Sequence, residues 1–215
     1  MKAQTLEVLK NFSGINKSIL FREGNIIRTM NAEKTVFAHA QVEDSFTHEF
    51  GVFDLTQLLS TWSLLENPDV TYEDKYLLLE EGGTQIKYFY TNTRHIVAAP
   101  NKELKLPDTI MRFTLEKNVL EKMLKASSVM KLTNLYITAN SVVCKNPDGT
   151  GNEYTCPITD FHVEEGQELD EDEYFNINID AMRLIPDDYE VYVTANAIRF
   201  KSQNRVLEYF VVLNN

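Results

Sequence analysis

The chain contains little cysteine, glycine or proline. Its 215 residues include 2 Cys, 8 Gly and 6 Pro. Two cysteines exclude a disulfide-rich framework, and the low glycine and proline contents exclude collagen-like and low-complexity chains. No apolar run reaches the roughly 18 residues of a transmembrane helix, and the start lacks the apolar core of a signal peptide. We therefore expect a folded protein in a reducing cytoplasm.

Sequence motifs for catalysis and nucleotide binding are also missing. There is no GxGxxG, GxxxxGK[ST] or GxSxG. Cys144 and Cys156 fall on predicted strands, where buried and inert thiols are expected. The histidines form no pair at metal-ligand spacing; they are His39, His48, His95 and His162. We therefore predict that the protein is not an enzyme and that it has no catalytic residues, metal or cofactor.

The chain has more acidic than basic residues, and its charge is unevenly distributed. The chain has 21 Lys and Arg against 32 Asp and Glu, a formal charge of −11, which discourages non-specific binding to nucleic acid. Residues 1–17 and 114–131 nevertheless each carry a local charge of +2, which leaves −15 for the rest of the chain. Seven of the ten residues at 164–173 are acidic. This run lacks the spaced ligands and turn glycine of a calcium loop, so we expect a solvated loop.

The order of predicted elements occurs twice along the chain. Apolar residues at helical spacing predict a helix from Thr5 to about Asn16 and another over 116–130, each followed by several strands. An offset of 115 residues aligns Leu9-Lys10 with Leu124-Lys125. An offset of 126 aligns Asp54, the predicted N-cap of a second helix, with Asp180, the predicted start of a fourth.

This repeat predicts an α+β protein with two similar domains. We place them at 1–105 and 106–215, joined by an extended Pro- and Lys-containing linker at about 98–108. Each domain is expected to pack two helices on antiparallel sheet.

The outward faces of the predicted helices are basic or uncharged. At about 100° per residue, Lys122 and Lys125 lie almost opposite the apolar stripe of their helix, and Lys10 opposes Phe12 in the first helix. The helix that follows Asp54 exposes only uncharged polar side chains. Lysine attracts phosphates without reading bases. These faces therefore predict a weak, sequence-independent attraction for DNA.

The order of elements and three stretches of sequence resemble a known family. The stretches TLEVLKNFSGINKSILF, FDLTQLLSTWSLL and IVAAPNKELKLP are similar to the sliding clamps of T-even-type tailed bacteriophages, which are DNA polymerase accessory, or processivity, factors. The resemblance implies the DNA-clamp fold and a homotrimeric ring around double-stranded DNA in the cytoplasm of the infected bacterial host. It also implies an ATP-dependent clamp loader and a replicative DNA polymerase that docks through a C-terminal peptide.

The resemblance also implies functional residues. Contacts with DNA are expected from side chains on the helices: Lys2, Lys10, Asn11, Lys117, Lys122, Lys125 and Arg183 on the fourth helix. A pocket for protein partners is expected between the linker and the last strand: Leu104, Leu106, Pro107, Val211, Val212 and Leu213. Ordinary packing between domains is an equal alternative for the pocket residues.

Two other functions fit parts of the sequence. The charge of −11 and the acidic run suggest an acidic DNA mimic that inhibits a DNA-binding enzyme. Such a mimic predicts acidic stripes on regular elements, whereas here the helices carry the lysines. A small enzyme built on Asp54, Asp180 and Glu190 is the second alternative, but nothing in the sequence brings these carboxylates together.

Overall fold

The chain divides into two compact units, Met1–Lys102 and Glu103–Asn215. The computed structural model describes residues 1–102, 104, 106–170 and 173–214. Glu103 and Lys105 of the predicted linker, and Glu171 and Asp172 of the acidic run, lie outside the described residues, as does the last residue.

Two α-helices and seven antiparallel strands build the described part of the first unit. They are α1 (Ala3–Ser13), β1 (Ile19–Phe21), β2 (Gly24–Met30), β3 (Val36–Phe46), β4 (Phe50–Val52), α2 (Leu55–Trp62), β5 (Asp69–Tyr72), β6 (Tyr76–Glu81) and β7 (Thr84–Phe89), followed by a 3-10 helix at Thr93–His95. Strand β1 pairs with β4, β2 pairs with β3, and β5, β6 and β7 form a three-stranded sheet in that order.

One α-helix and nine antiparallel strands build the described part of the second unit. They are β8 (Thr109–Leu115), α3 (Lys117–Met130), β9 (Asn134–Ile137), β10 (Ser141–Lys145), β11 (Tyr154–Pro157), β12 (Thr159–Val163), β13 (Phe175–Asn178), a 3-10 helix (Ile179–Ala181), β14 (Tyr189–Thr194), β15 (Ala197–Ser202) and β16 (Leu207–Val212). One sheet has the order β11-β10-β9-β13. The other contains β12-β8-β14-β15-β16.

Corresponding elements follow one another in the same order in the two units. With the offset of 115 residues, α1 falls within α3 and β1 falls within β9. With the offset of 126, β4 falls on β13. The pairing agrees, because β1 pairs with β4 and β9 pairs with β13.

Each α-helix buries one apolar stripe, and this burial explains where the helices form. The buried stripe residues are Val8, Leu9 and Phe12 of α1, Leu55, Leu58 and Trp62 of α2, and Leu120 and Met123 of α3. Among the residues that the structure describes, no helix combines the length and the apolar character needed to cross a bilayer.

The predicted cap of α2 is confirmed. The Asp54 carboxylate accepts a hydrogen bond from the backbone N–H of Gln57 at 2.9 Å, which satisfies one of the amides that a helix leaves free at its start.

The helix predicted from Asp180 is replaced by a single 3-10 turn. Its N-cap is Asn178, whose side-chain oxygen accepts a hydrogen bond from the N–H of Asp180 at 2.8 Å. The segment before Pro186 is short, and a residue that precedes proline disfavours helical backbone. Instead, Ile185 is held by two tyrosines: its N–H donates to the Tyr209 hydroxyl at 3.2 Å, and its C=O accepts from the Tyr189 hydroxyl at 2.6 Å.

The cap of α2 can be tested by substitution. We expect Asp54→Ala to lower the free energy of unfolding by about 1 kcal/mol, because the Gln57 amide loses its carboxylate acceptor. Urea denaturation followed by circular dichroism measures the change. Asp180→Ala is the matched control, with an expected change within about 0.5 kcal/mol. Equal losses in the two variants would contradict the cap assignment.

Candidate nucleic-acid interface

Hydrogen bonds to the end of β3 fix the rotation of helix α1 about its own axis. The side chain of Gln4 donates to the Gln41 carbonyl at 3.2 Å and accepts from the Glu43 N–H at 3.1 Å. The backbone N–H of Lys2 donates to the Asp44 carboxylate at 2.7 Å. Because the apolar stripe and these bonds fix the same orientation, the predicted Lys10 side chain is exposed on the opposite face.

The other predicted residues of this region differ in exposure. The side chain of Lys2 is exposed just before α1 begins. Asn11 is only half-buried and already has an interaction within the protein. Its amide is therefore a weaker candidate for a phosphate contact than the two lysines.

Helix α2 adds no charge to this surface. Its exposed side chains are Thr56, Gln57 and Ser60, and the sequence contains no charged residue between Asp54 and Glu66. Hydroxyl and amide groups can bond phosphates without adding positive charge.

A groove of about 740 Å³ lies between α1 and α2. Lys10 stands on the α1 wall, Trp62 contributes to the α2 wall, and both walls carry hydroxyl groups. The lining residues are Leu6, Lys10, Ser13, Gly14, Thr56, Leu59, Ser60, Trp62 and Ser63. Sequence reasoning missed this groove, since a space between two helices depends on how they pack. The only feature of the sequence that pointed to this surface was the absence of charged residues between Asp54 and Glu66.

Helix α3 presents three predicted lysines on its exposed side. Lys117, Lys122 and Lys125 are exposed, whereas Leu120 and Met123 are buried. At the start of the helix, the backbone N–H of Lys117 donates a hydrogen bond to the Asp188 carboxylate at 2.7 Å.

The end of α3 adds a further exposed lysine. Lys131 closes the helix in the left-handed conformation, with φ 56° and ψ 44°, a position that usually holds glycine. The Leu132 N–H then bonds to the Ser127 carbonyl at 2.9 Å.

Arg183 does not lie on a fourth α-helix, as the sequence predicted. It follows the 3-10 turn and is exposed between the buried side chains of Met182 and Leu184. Arg183 also has an interaction within the protein. An irregular segment, rather than a helix face, therefore carries this arginine.

A nearly buried carboxylate anchors the segment that follows Arg183. Asp187 accepts hydrogen bonds from Ser202 Oγ at 2.7 Å, Asn204 Nδ2 at 2.6 Å and Arg205 Nε at 3.2 Å. Burial alone raises the pKa of Asp187, but these donors outweigh it and hold the pKa below its ordinary value. The group is therefore ionised at neutral pH and ties the segment to the β15–β16 turn.

The predicted partner-pocket residues differ in accessibility. Leu104, Pro107 and Val212 are exposed, and Leu106 and Leu213 are half-buried. Val211 is only 1% exposed and belongs to the core, so its side chain offers no surface to a partner. Backbone bonds position the last residues, since the Leu213 N–H donates to the Asn196 carbonyl at 2.9 Å.

Two of the three carboxylates of the enzymatic alternative have structural roles. Asp54 caps α2, and Glu190 lies 3.5 Å from Arg112 in an ion pair. Within the described ranges, no three His, Cys, Asp or Glu side chains cluster as metal ligands do.

Both thiols are buried on strands, as the sequence predicted. Burial raises the pKa of Cys144 and raises that of Cys156 to about 11. The nucleophilic thiolate is therefore scarce at neutral pH.

Comparison with solved structures defines the class of the fold. The chain matches the structure of A. fulgidus PCNA bound to the C-terminal region of FEN-1 with a TM-score of 0.71, at 12% identity and over 100% of this chain and 97% of that one. The fold is thus that of the DNA clamps.

Sequence comparison narrows the class. The family model for DNA polymerase processivity factors matches residues 1–98. The chain is 29% identical to the sliding clamp of Vibrio phage KVP40, over 98% of this chain and 97% of that protein. It is 22% identical to the sliding clamp of Escherichia phage RB69, over 99% and 96%. The predicted resemblance is confirmed: the chain is similar in sequence to the sliding clamps of T-even-type phages.

Proposed function

We propose that the protein is a DNA polymerase sliding clamp that encircles duplex DNA as a homotrimeric ring and tethers the replicative polymerase. The observation that carries this proposal is the similarity to a phage sliding clamp over 98% of the chain. The protein catalyses no reaction itself and works in the cytoplasm of the infected bacterial host, where an ATP-dependent loader opens the ring. The exposed lysines on α1 and α3 argue against the acidic DNA mimic, which needs carboxylates on such faces.

The mechanism is topological. A closed ring stays on a duplex without binding it tightly, and a polymerase attached to the ring has a high effective concentration at the primer end. Lysines that attract phosphates without reading bases hold the duplex weakly, which permits sliding. The charge of −11 disfavours contact between DNA and the rest of the surface.

Among the strand edges of the described residues, those of β7 and β12 suit a contact between subunits. Among the described residues, β7 pairs only with β6, and β12 pairs only with β8. Free edges of this kind are templates for strand addition by another chain. We assign the subunit contact to β7 of one copy and β12 of the next. Such a contact joins unlike surfaces, and it closes into a ring when its rotation allows.

Side chains near the two edges support this assignment. Phe53 and Phe89 are 63% and 66% exposed, and both line a groove of about 380 Å³ beside β7. At the other edge, Val163 is exposed on β12. Lys87 on β7 and Asp160 on β12 carry opposite charges, which favours pairing between unlike edges.

The assembly can be tested by mass in solution. We expect the wild-type protein to have three times the subunit mass of 24.8 kDa by light scattering, and to dissociate on dilution. Phe89→Glu should produce monomers at concentrations at which the wild type is trimeric, because the contact would bury an unpaired charge. Leu64→Glu, at another exposed apolar residue of the first unit, is the control and should stay trimeric. A monomeric wild type at every concentration would contradict the ring, and a trimeric Phe89→Glu would contradict the assigned edge.

The DNA face can be tested by charge reversal. We expect Lys122→Glu combined with Lys125→Glu to leave the trimer intact and to shorten the products of loader-dependent primer extension, more strongly at low salt, because the lost phosphate contacts are strongest where salt screens them least. Lys34→Glu combined with Lys75→Glu changes the net charge equally on two loops of the first unit and should have little effect. Products of wild-type length from the α3 variant would count against this face.

The partner pocket can be tested with a peptide from the C-terminus of the polymerase. We expect Leu106→Asp to weaken binding of the peptide at least a few-fold, because a charge would enter an apolar contact. Val206→Asp places the same charge at an exposed turn residue and should bind normally. If Leu106→Asp keeps the wild-type Kd but unfolds more easily, Leu106 serves packing instead.

A further inference from the structure

Equivalent positions on α1 and α3 carry different charges. With the offset of 115 residues, Lys10 corresponds to Lys125, and both are exposed. The position equivalent to Lys122, however, is Glu7, which is also exposed. The second unit therefore has two lysines where the first unit has one lysine and one glutamate.

Helix geometry places the charges of each pair close together. Residues three apart on an α-helix are separated by about 60° around the axis and about 4.5 Å along it. Glu7 and Lys10 thus share the exposed face of α1, as Lys122 and Lys125 share that of α3. The orientation of α1 is fixed by Gln4 and by the buried stripe, so the helix cannot turn Glu7 and Lys10 away from its exposed face without breaking these contacts. Glu7 also has an interaction within the protein.

A carboxylate in this position opposes phosphate binding. A phosphate held by Lys10 would lie within several ångströms of Glu7, a distance at which like charges repel measurably even near a protein surface. On α3, both side chains at the equivalent positions attract the phosphate. The exposed Glu121 lies beside them, so α3 has three exposed lysines and one exposed glutamate, whereas α1 has one of each. The neighbouring helix α2 supplies no compensating positive charge, because its exposed side chains are uncharged.

We propose that Glu7 weakens the DNA contact of the first unit, so that α3 of the second unit supplies most of the attraction for the duplex. This inference rests on the proposed clamp function. In a homotrimeric ring it gives three strong and three weak contacts around the bore. Glu7 then limits the total grip on the duplex and favours movement along it.

The test is equilibrium binding of the full-length protein to a fluorescein-labelled 30-base-pair duplex, followed by anisotropy at several salt concentrations. Glu7→Lys should bind the duplex several-fold more tightly, with a salt dependence steeper by about 0.9 in log–log slope for each additional phosphate that the protein neutralises. Glu7→Gln should give a smaller increase in affinity. Glu33→Lys, in the exposed turn between β2 and β3, is the matched control for net charge and should bind as the wild type does.

A charge exchange between the two helices tests their equivalence. Glu7→Lys combined with Lys122→Glu keeps the net charge at −11 and should restore binding to within about twofold of the wild type, since one lysine replaces the other at the duplex. Lys122→Glu alone should bind several-fold more weakly.

The outcomes separate this inference from the proposed function. If Lys122→Glu weakens binding but Glu7→Lys binds no more tightly than Glu33→Lys, the DNA face stands and the role of Glu7 is wrong. If neither the wild type nor any variant binds the duplex at the lowest salt, both the DNA face and the role of Glu7 are overturned.

Discussion

Burial of one apolar stripe on α1 and one on α3 determines where every lysine of these helices points. Leu9 and Phe12 of α1 and Leu120 of α3 are fully buried, and each such side chain contributes about 1.5–3 kcal/mol through burial. Charges on an exposed helix face contribute only tenths of a kcal/mol to stability. The core therefore sets the rotation of the helices, and the charge on the outward face can change without altering the fold. That freedom explains how equivalent positions came to hold Glu7 and Lys122.

The arginines on the sheet of the second unit, unlike the lysines on the helices, are paired with carboxylates. Arg199 donates two hydrogen bonds to Glu208, at 2.9 Å and 2.7 Å, and Arg112 lies 3.1 Å from Glu164 and 3.5 Å from Glu190. Because each guanidinium is paired with carboxylate, this surface offers little net attraction for phosphate. A chain with a large excess of acid can in this way keep its positive potential on the helices. The weak hold on DNA that the proposed ring needs would follow from the position of the charges and not from their sum.

Features that depend on residues close together in the chain could be predicted from the sequence. The period of Val8, Leu9 and Phe12 predicted α1 and its exposed face, and Asp54 was correctly predicted to cap α2. The same reasoning failed at Asp180, because the capping signal there is not followed by enough residues to form an α-helix before Pro186. Arg183 was misplaced as a result. The α1–α2 groove and the free edges of β7 and β12 could not be predicted, since both depend on contacts between residues far apart in the chain.

The two cysteines have a practical consequence. Both thiols are buried, and the pKa values of both are raised, that of Cys156 to about 11. Maleimide dyes react with exposed thiolates, so the native protein resists such labelling while folded. A cysteine introduced at an exposed position would therefore accept the dye selectively. The protein is suited to single-molecule tracking without removal of its own cysteines.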